Sequence, residues 1–288
     1  MELKEHYNNE EIEKEMIKKA RRHSLAYCII CGSALVSYGL DGLMQCLFDN
    51  DATFVTVITA WPDLNDHSIP AVIFRILAYC LWWIFMTRVS ALYILVISTF
   101  VCLGHQYKNL QSYFYSLNNI FDDEFYTQKE KEEKYVKGLK LGIDMHARTL
   151  WCTRQCELSF KGVVSGQILV NVTVIMLLMA QMLESERTLG SVAATLSTMT
   201  AMLISTGYFM WNVGDITVEA EALSTAIFSS GWQNCEGDAS VQARKLVVGA
   251  MRQAQVPVSI RALGIITMSY ESYVSIVKSS YSVFSVLY

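Results

Sequence analysis

Charge is what this chain has least of. Asp, Glu, Lys and Arg make up 17% of its 288 residues against 52% apolar ones, whereas an ordinary soluble domain is about a quarter charged. So little polar surface excludes a water-soluble globule. Proline is nearly absent, at three residues. There is no Pro-rich or Ser-rich linker and no repeat of roughly 20 to 50 residues, so nothing marks a second domain. HExxH, GxSxG, Walker and GxGxxG patterns are all missing, and the histidines are scattered at positions 6, 23, 67, 105 and 146. No catalytic group, metal site or cofactor is nominated, and the chain does not read as an enzyme. The start also lacks a short basic segment followed by a small-residue cleavage site. Residues 1–22 are instead a charged stretch ending in Lys18, Lys19, Arg21 and Arg22, and no cleaved signal peptide is expected.

What the chain has is long apolar runs. A hydrocarbon core about 30 Å thick takes roughly 20 apolar residues of helix, and five stretches qualify: 24–48, 71–103, 162–183, 189–213 and 258–285. The first runs into Asp49, Asn50 and Asp51, and the second follows Pro70. The last follows Pro257, a good first-turn residue, and 184–188 leaves room only for a helical hairpin. Helices are required because backbone polar groups in lipid must be satisfied within their own segment. The fold class expected is therefore all-α, a polytopic helical membrane protein with five spans.

The charges test this count. With five spans, one face receives 1–23, 106–161 and 214–257, which hold nearly all the Lys and Arg. The other receives 49–70, which has neither and carries Asp49, Asp51, Asp63 and Asp66. By the positive-inside rule the N-terminus is cytoplasmic and the C-terminus extracellular, in a multi-pass protein of the plasma membrane. The 106–161 connection is too long for a turn, and its Lys/Glu-rich run over 128–140 has helical composition. The 214–256 connection reads as helices over 215–232 and 241–255, so a helical cytoplasmic layer is expected beneath the spans.

Several motifs read as packing. Cys28 and Cys31 form a CxxC inside an apolar span with no second pair, and Cys152 and Cys156 supply at most half a zinc site. Asn171-Val172-Thr173 spells a glycosylation sequon within a span, out of reach of the modifying enzyme. Ionisable residues inside spans weigh more, because each costs about 2.5 kcal/mol or more at the bilayer centre. Asp41 and Arg75 lie near outer ends, where they can snorkel or pair, and Arg88 is deeper and expected at the bundle interior or inner interface. The last span is interrupted by Arg261, Glu271, Lys278 and many serines. Such a helix suits a place among other helices or along a water-filled path. In the outer half, Tyr38, Phe74, Tyr79, Trp83, Thr195, Met199 and Met202 mix aromatics, Met and hydroxyl. That mixture suits an adaptable pocket for a small hydrophobic volatile, though each residue also fits plain interhelical packing or an interfacial belt.

Three segments carry a resemblance. The stretch 214–232, from Gly214-Asp215-Ile216-Thr217-Val218-Glu219 to Ser230-Gly231-Trp232, resembles the penultimate cytoplasmic segment of insect odorant receptors. So do Met251-Arg252-Gln253-Ala254-Gln255-Val256-Pro257 and the terminal Lys278-Ser279-Ser280-Tyr281-Ser282-Val283-Phe284. The resemblance implies seven helices with a cytoplasmic N-terminus, and a tetrameric odorant-gated cation channel shared with a co-receptor subunit. It further implies a pore-lining last helix and a cytoplasmic helical anchor. On that basis the pore residues expected are Tyr273, Ile276, Val277, Ser280 and Tyr281, and the anchor residues Trp232, Leu246, Val247 and Met251. Residues 1–288 then form a single receptor-like transmembrane domain. Its five spans correspond to the family's third through seventh helices, as in a truncated gene model or shortened isoform. The partners implied are the co-receptor, a small hydrophobic odorant and the bilayer, with no nucleic acid. Competing readings are a nonfunctional fragment, a gustatory-type receptor, whose own terminal motif is not found, and a G-protein-coupled receptor, which requires an extracellular N-terminus.

Overall fold

The computed structural model describes residues 7–48, 53–54, 62–63, 66–184, 189–237, 239–262, 264 and 266–287. Among them are six α-helices: α1 (Glu10–Phe48), α2 (Ile69–Leu117), α3 (Gln128–Glu184), α4 (Leu189–Phe228), α5 (Ala239–Ala254) and α6 (Tyr270–Leu287). Short 3₁₀ turns follow α2 and α4, and one small antiparallel hairpin, β1 (Arg261–Ala262) with β2 (Ile266–Thr267), precedes α6. Three helices, within Glu10–Phe48, Ile69–Asp122 and Gln128–Met179, are long and apolar enough to cross a membrane. The expected turn over 184–188 lies, past Glu184, outside the described residues, as do Asp49, Asn50 and Asp51.

The helices outrun the spans. At about 1.5 Å per residue, α2 and α3, with 49 and 57 residues, are each roughly two and a half to three times as long as a bilayer core is thick. The expected cytoplasmic helix over 128–140 is therefore the first part of α3, and 215–228 is the end of α4. No proline interrupts either, and nothing forces a break at the membrane boundary. One expectation needs correction. Helix was expected from Val258 on, but 257–262 and 266–269 are extended and turned: Met268 N–H donates to Ile260 O at 3.0 Å, and Gly264 takes φ 74° between the two strands. The helix starts only at Tyr270, where Ser269 Oγ accepts Ser272 N–H at 3.1 Å as an N-cap.

The chain divides into two compact units. The first is Met1–Arg21, Ile97–Ser165 and Phe209–Tyr273. Its core follows helical spacing: Ile97, Phe100, Tyr107, Leu110, Phe114 and Leu117 of α2 are buried on one face. They meet α3 where glycines let the helices close. A Cβ on Gly142 would lie 2.7 Å from Phe114 Cε1, and one on Gly138 would lie 2.7 Å from Leu117 Cδ2. Tyr113 Oη donates to Gly138 O at 2.8 Å in the same seam. On α5 the buried set Ser240, Ala243, Val247, Ala250 and Ala254 again keeps to one face.

The second unit is Arg22–Val96, Gly166–Tyr208 and Val274–Tyr288. Its outward surface is apolar: Leu40 and Leu43 of α1, and Leu77, Leu81, Ile84 and Phe85 of α2, are all exposed. A soluble monomer rarely carries so large a contiguous apolar patch, whereas hydrocarbon requires it. The start of α2 is capped. Asp66 Oδ1 accepts Ser68 N–H at 2.8 Å just before α2, and Arg75 reaches back from the buried face of α2 to donate Nη2–H to Asp63 O at 2.6 Å. Arg75 thus finds a polar partner near the start of its helix. Arg88 is exposed on α2, outside the packing of the unit.

Candidate functional site

All seven candidate ligand residues fall in the second unit, on α1, α2 and α4. Tyr79 is the hub. Its hydroxyl donates to Leu35 O on α1 at 2.9 Å, and its ring meets Phe54 edge-on at 5.8 Å and Trp83 edge-on at 6.3 Å. The close approach of α1 and α2 exists because position 39 is glycine. A Cβ there would collide with the Tyr79 hydroxyl and lie 2.9 Å from Cζ. On the other side of α1, Ser37 and Ser197 share a hydrogen bond of 2.9 Å, and Thr195, Met199 and Met202 follow one another at helical spacing on α4. Thr195 is buried, and Tyr38, Tyr79, Trp83, Met199 and Met202 are half-buried. Phe74 is exposed.

Beside them lies a polar cluster that sequence reasoning passed over. Asn171, 1% exposed, donates Nδ2–H to Thr206 Oγ1 at 2.7 Å, Ser205 Oγ at 3.0 Å and Met202 O at 3.2 Å, and its Oδ1 accepts Gln167 Nε2–H at 2.7 Å. The residue dismissed as an inaccessible sequon is the polar clamp between α3 and α4. The available signal was Gln167 four residues before Asn171 on one face, opposite the Ser205-Thr206 pair. Interhelical hydrogen bonds in membranes contribute about 0.6 kcal/mol each, at most about 1.7. Asn171→Leu is therefore expected to lower stability by about 1 to 2 kcal/mol in a denaturant titration of the detergent-solubilised protein. An unchanged midpoint would show that the cluster does not hold the helices.

Of the candidate pore residues, Tyr273 is half-buried and packs edge-on against Trp211, ring centroids 5.3 Å apart. Ile276 and Val277 are half-buried, and the side chains of Ser280 and Tyr281 lie outside the described residues. The start of α6 is fastened within the first unit. Tyr270 Oη donates to Asp215 on α4, and Asp215 also pairs with Lys19 on α1. The ring of Tyr270 lies so close to Gly214 that a Cβ there would be 2.9 Å from Cε2. Neither Asp215 nor Lys19 was singled out from sequence. An acid at the foot of an apolar run and a lysine ending a charged segment were the signs.

The candidate anchor residues also belong to the first unit. Trp232 follows Gly231, whose φ of 92° turns the chain after α4. The indole Nε1–H donates to Phe228 O at 3.0 Å. Val247 is buried in the unit's own core, Leu246 and Met251 are half-buried, and the exposed apolar side chains of α5 are Val241 and Val248. The cysteines of the two motifs are free thiols, and no three His, Cys, Asp or Glu among the described residues could hold a metal ion.

Comparison with known proteins agrees with this architecture. The family model described as 7tm Odorant receptor matches residues 2–281. Odorant receptor 42a of Drosophila melanogaster is 29% identical over 167 residues, covering 56% of this chain and 38% of that protein. The chain thus spans well under half the length of that relative. Two solved structures of the olfactory receptor OR5 from Machilis hrabei have the same fold. The one in complex with eugenol gives a TM-score of 0.75 at 14% identity, covering 96% of this chain and 68% of the other. The second gives 0.77 at 12% identity, covering 96% and 67%. The chain belongs to the insect odorant receptor family; it is a helical membrane protein and not an enzyme.

Proposed function

We propose that this member of the odorant receptor family is a subunit of a ligand-gated cation channel that takes a small volatile apolar ligand among the outer halves of its helices. The observation that carries the reading is the family match across residues 2–281. The eugenol-bound olfactory receptor of the same fold supports the ligand class. The Tyr79, Trp83, Thr195, Met199 and Met202 surroundings on α2 and α4 supply aromatic and thioether groups with one buried hydroxyl, which accommodate an apolar ligand with a single polar group. Tyr38 and Phe74 complete the candidate set. The pore runs along α6 past Tyr273, Ile276, Val277, Ser280 and Tyr281, with the N-terminus cytoplasmic and the C-terminus outside. Trp232, Leu246, Val247 and Met251 belong to the anchor through which the chain assembles with a co-receptor subunit. Ligand binding shifts the packing of α1, α2 and α4, and α6 responds. Such a shift is limited by the ligand's preference for one state over the other.

Co-expression with the co-receptor in cells tests this reading directly. An odorant panel is expected to evoke inward cation current. Cysteines substituted at Ile276 and Val277 should react with water-soluble methanethiosulfonates faster in the presence of the active odorant. Labelling of both positions by lipid-soluble reagents alone would remove the pore from α6.

A further inference from the structure

Arg88 interrupts the apolar face that α2 turns outward in the second unit. Leu77, Leu81, Ile84, Leu92 and Leu95 are all exposed, and with Arg88 in its place between Ile84 and Leu92 they recur at steps of three and four residues along one side of the helix. Arg88 is exposed as well. Lipid chains suit the leucines and do not suit the guanidinium. Its N–H groups only donate, hydrocarbon holds no acceptor, and among the described residues no carboxylate, carbonyl or hydroxyl accepts from it. The acids of the same unit are engaged elsewhere. Asp41 accepts the Gln45 amide at 3.1 Å on α1, and Asp66 caps the start of α2.

Depth argues against the membrane surface as the source of an anion. The exposed apolar stretch of α2 runs from Val72 to Leu95, and Arg88 lies about two turns inside its Leu95 end. Helical side chains lean toward the N-terminus of their helix, so that of Arg88 leads back toward the middle of the stretch, away from the nearer headgroups. A charge at such a depth is paired with another charge or faces protein. The group that fits is an acid at the same level, and in hydrocarbon a helix can carry one there with its own backbone satisfied.

We infer that this face of α2 packs against a membrane-spanning helix of a partner protein, and that the partner helix carries an Asp or Glu near mid-depth that pairs with Arg88. The exposed leucines and Ile84 form the packing seam. The ion pair fixes its register, as a single polar position does in a coiled coil. A guanidinium offers a carboxylate two parallel N–H donors, which a lysine does not. The surface lies wholly in the second unit and requires nothing of the odorant reading.

Model helices supply the test. The full 288-residue protein, donor-labelled, is reconstituted in phosphatidylcholine vesicles with acceptor-labelled polyleucine peptides about 20 residues long. One peptide carries a central Glu and its twin a central Gln, and energy transfer is followed as added lipid dilutes the pair. The Glu peptide is expected to associate roughly tenfold more tightly than the twin. Arg88→Leu should erase that difference, Arg88→Lys should keep only part of it, and Leu81→Ala should weaken both peptides alike. Moving the Glu about two turns toward either end of the peptide should abolish the preference. Equal binding of the two peptides to the folded wild type would overturn the assignment, as would a preference that survives Arg88→Leu. Enrichment of spin-labelled phosphatidylglycerol around the wild type, lost in Arg88→Leu and unaccompanied by any preference for the Glu peptide, would put a lipid phosphate at Arg88 in place of a partner helix.

Discussion

Glu132→Ala is expected to cost the first unit about 3 kcal/mol and to release the turn that follows α4. The carboxylate is 3% exposed and accepts three hydrogen bonds: Glu236 N–H at 2.8 Å, Gly237 N–H at 2.9 Å and Gln128 Nε2–H at 3.0 Å. Hydrogen bonds to a charged acceptor contribute roughly 1.5 to 3 kcal/mol each, and removing the acceptor strands two backbone donors. Position 237 has no room for compensation, because a Cβ there would lie 2.8 Å from Glu132 Oε2. Hydrogen exchange at the amides of Glu236 and Gly237 should accelerate more than a hundredfold, while that of the α2–α3 seam changes less. Equal protection in mutant and wild type would remove Glu132 from the structure's support.

The same carboxyl makes the turn acid-sensitive. Burial pushes its pKa up, but the Gly237 and Glu236 amides and the Gln128 side chain outweigh burial and hold it below the usual carboxylate range. A folded-state pKa lower than the unfolded one gives stability that is complete above the unfolded value and lost as pH falls through the folded value. The turn should therefore loosen in acid and not in base. Cys235, buried beside it, is pushed up to about 11 by burial and by the Glu132 charge, so it stays an unreactive thiol at neutral pH.

Which features were legible from the sequence follows from how local their causes are. The apolar runs show plainly because lipid imposes about 20 consecutive apolar residues, and α1, α2 and α3 lie where those runs lie. The α5 helix, expected over 241–255, is found at Ala239–Ala254, since its amphipathic spacing is strong over a short segment. The misplaced start of α6 shows the opposite case. The run from Val258 is apolar enough for helix, and what keeps 258–262 out of it is tertiary: Thr217 on α4 donates its hydroxyl to Val258 O at 3.0 Å, and Glu157 on α3 accepts the Arg261 amide at 3.3 Å. Those partners are about 40 and 100 residues away in sequence and leave no local trace. Glu132 left no local trace for the same reason, and Asn171 only the faint one of Gln167 a turn before it. Each is an ordinary polar residue in its own helix, and its role exists only once Gly237 or Ser205 arrives.

The candidate ligand site offers the sharpest functional test, at Gly39. Leucine there is expected to raise the odorant concentration for half-maximal current by more than tenfold, while Gly32→Leu on the same helix leaves it unchanged. A Cβ at position 32 would have no atom within 4 Å of it, whereas one at position 39 meets Tyr79 at once. Overpacking of that kind costs about 1 to 3 kcal/mol, and each 1.4 kcal/mol is a factor of about ten in an equilibrium. The displaced group is Tyr79, which cannot keep both its bond to Leu35 O and its contacts with Phe54 and Trp83. A double-mutant cycle separates the site from general damage. Gly39→Ala should impair the response, and adding Tyr79→Phe, which removes the colliding hydroxyl, should restore part of it. Residues in contact couple in this way and distant ones add. Strict additivity, with surface expression preserved, would mean that Tyr79 and α1 do not shape the ligand site at all, and that the pocket lies among other helices.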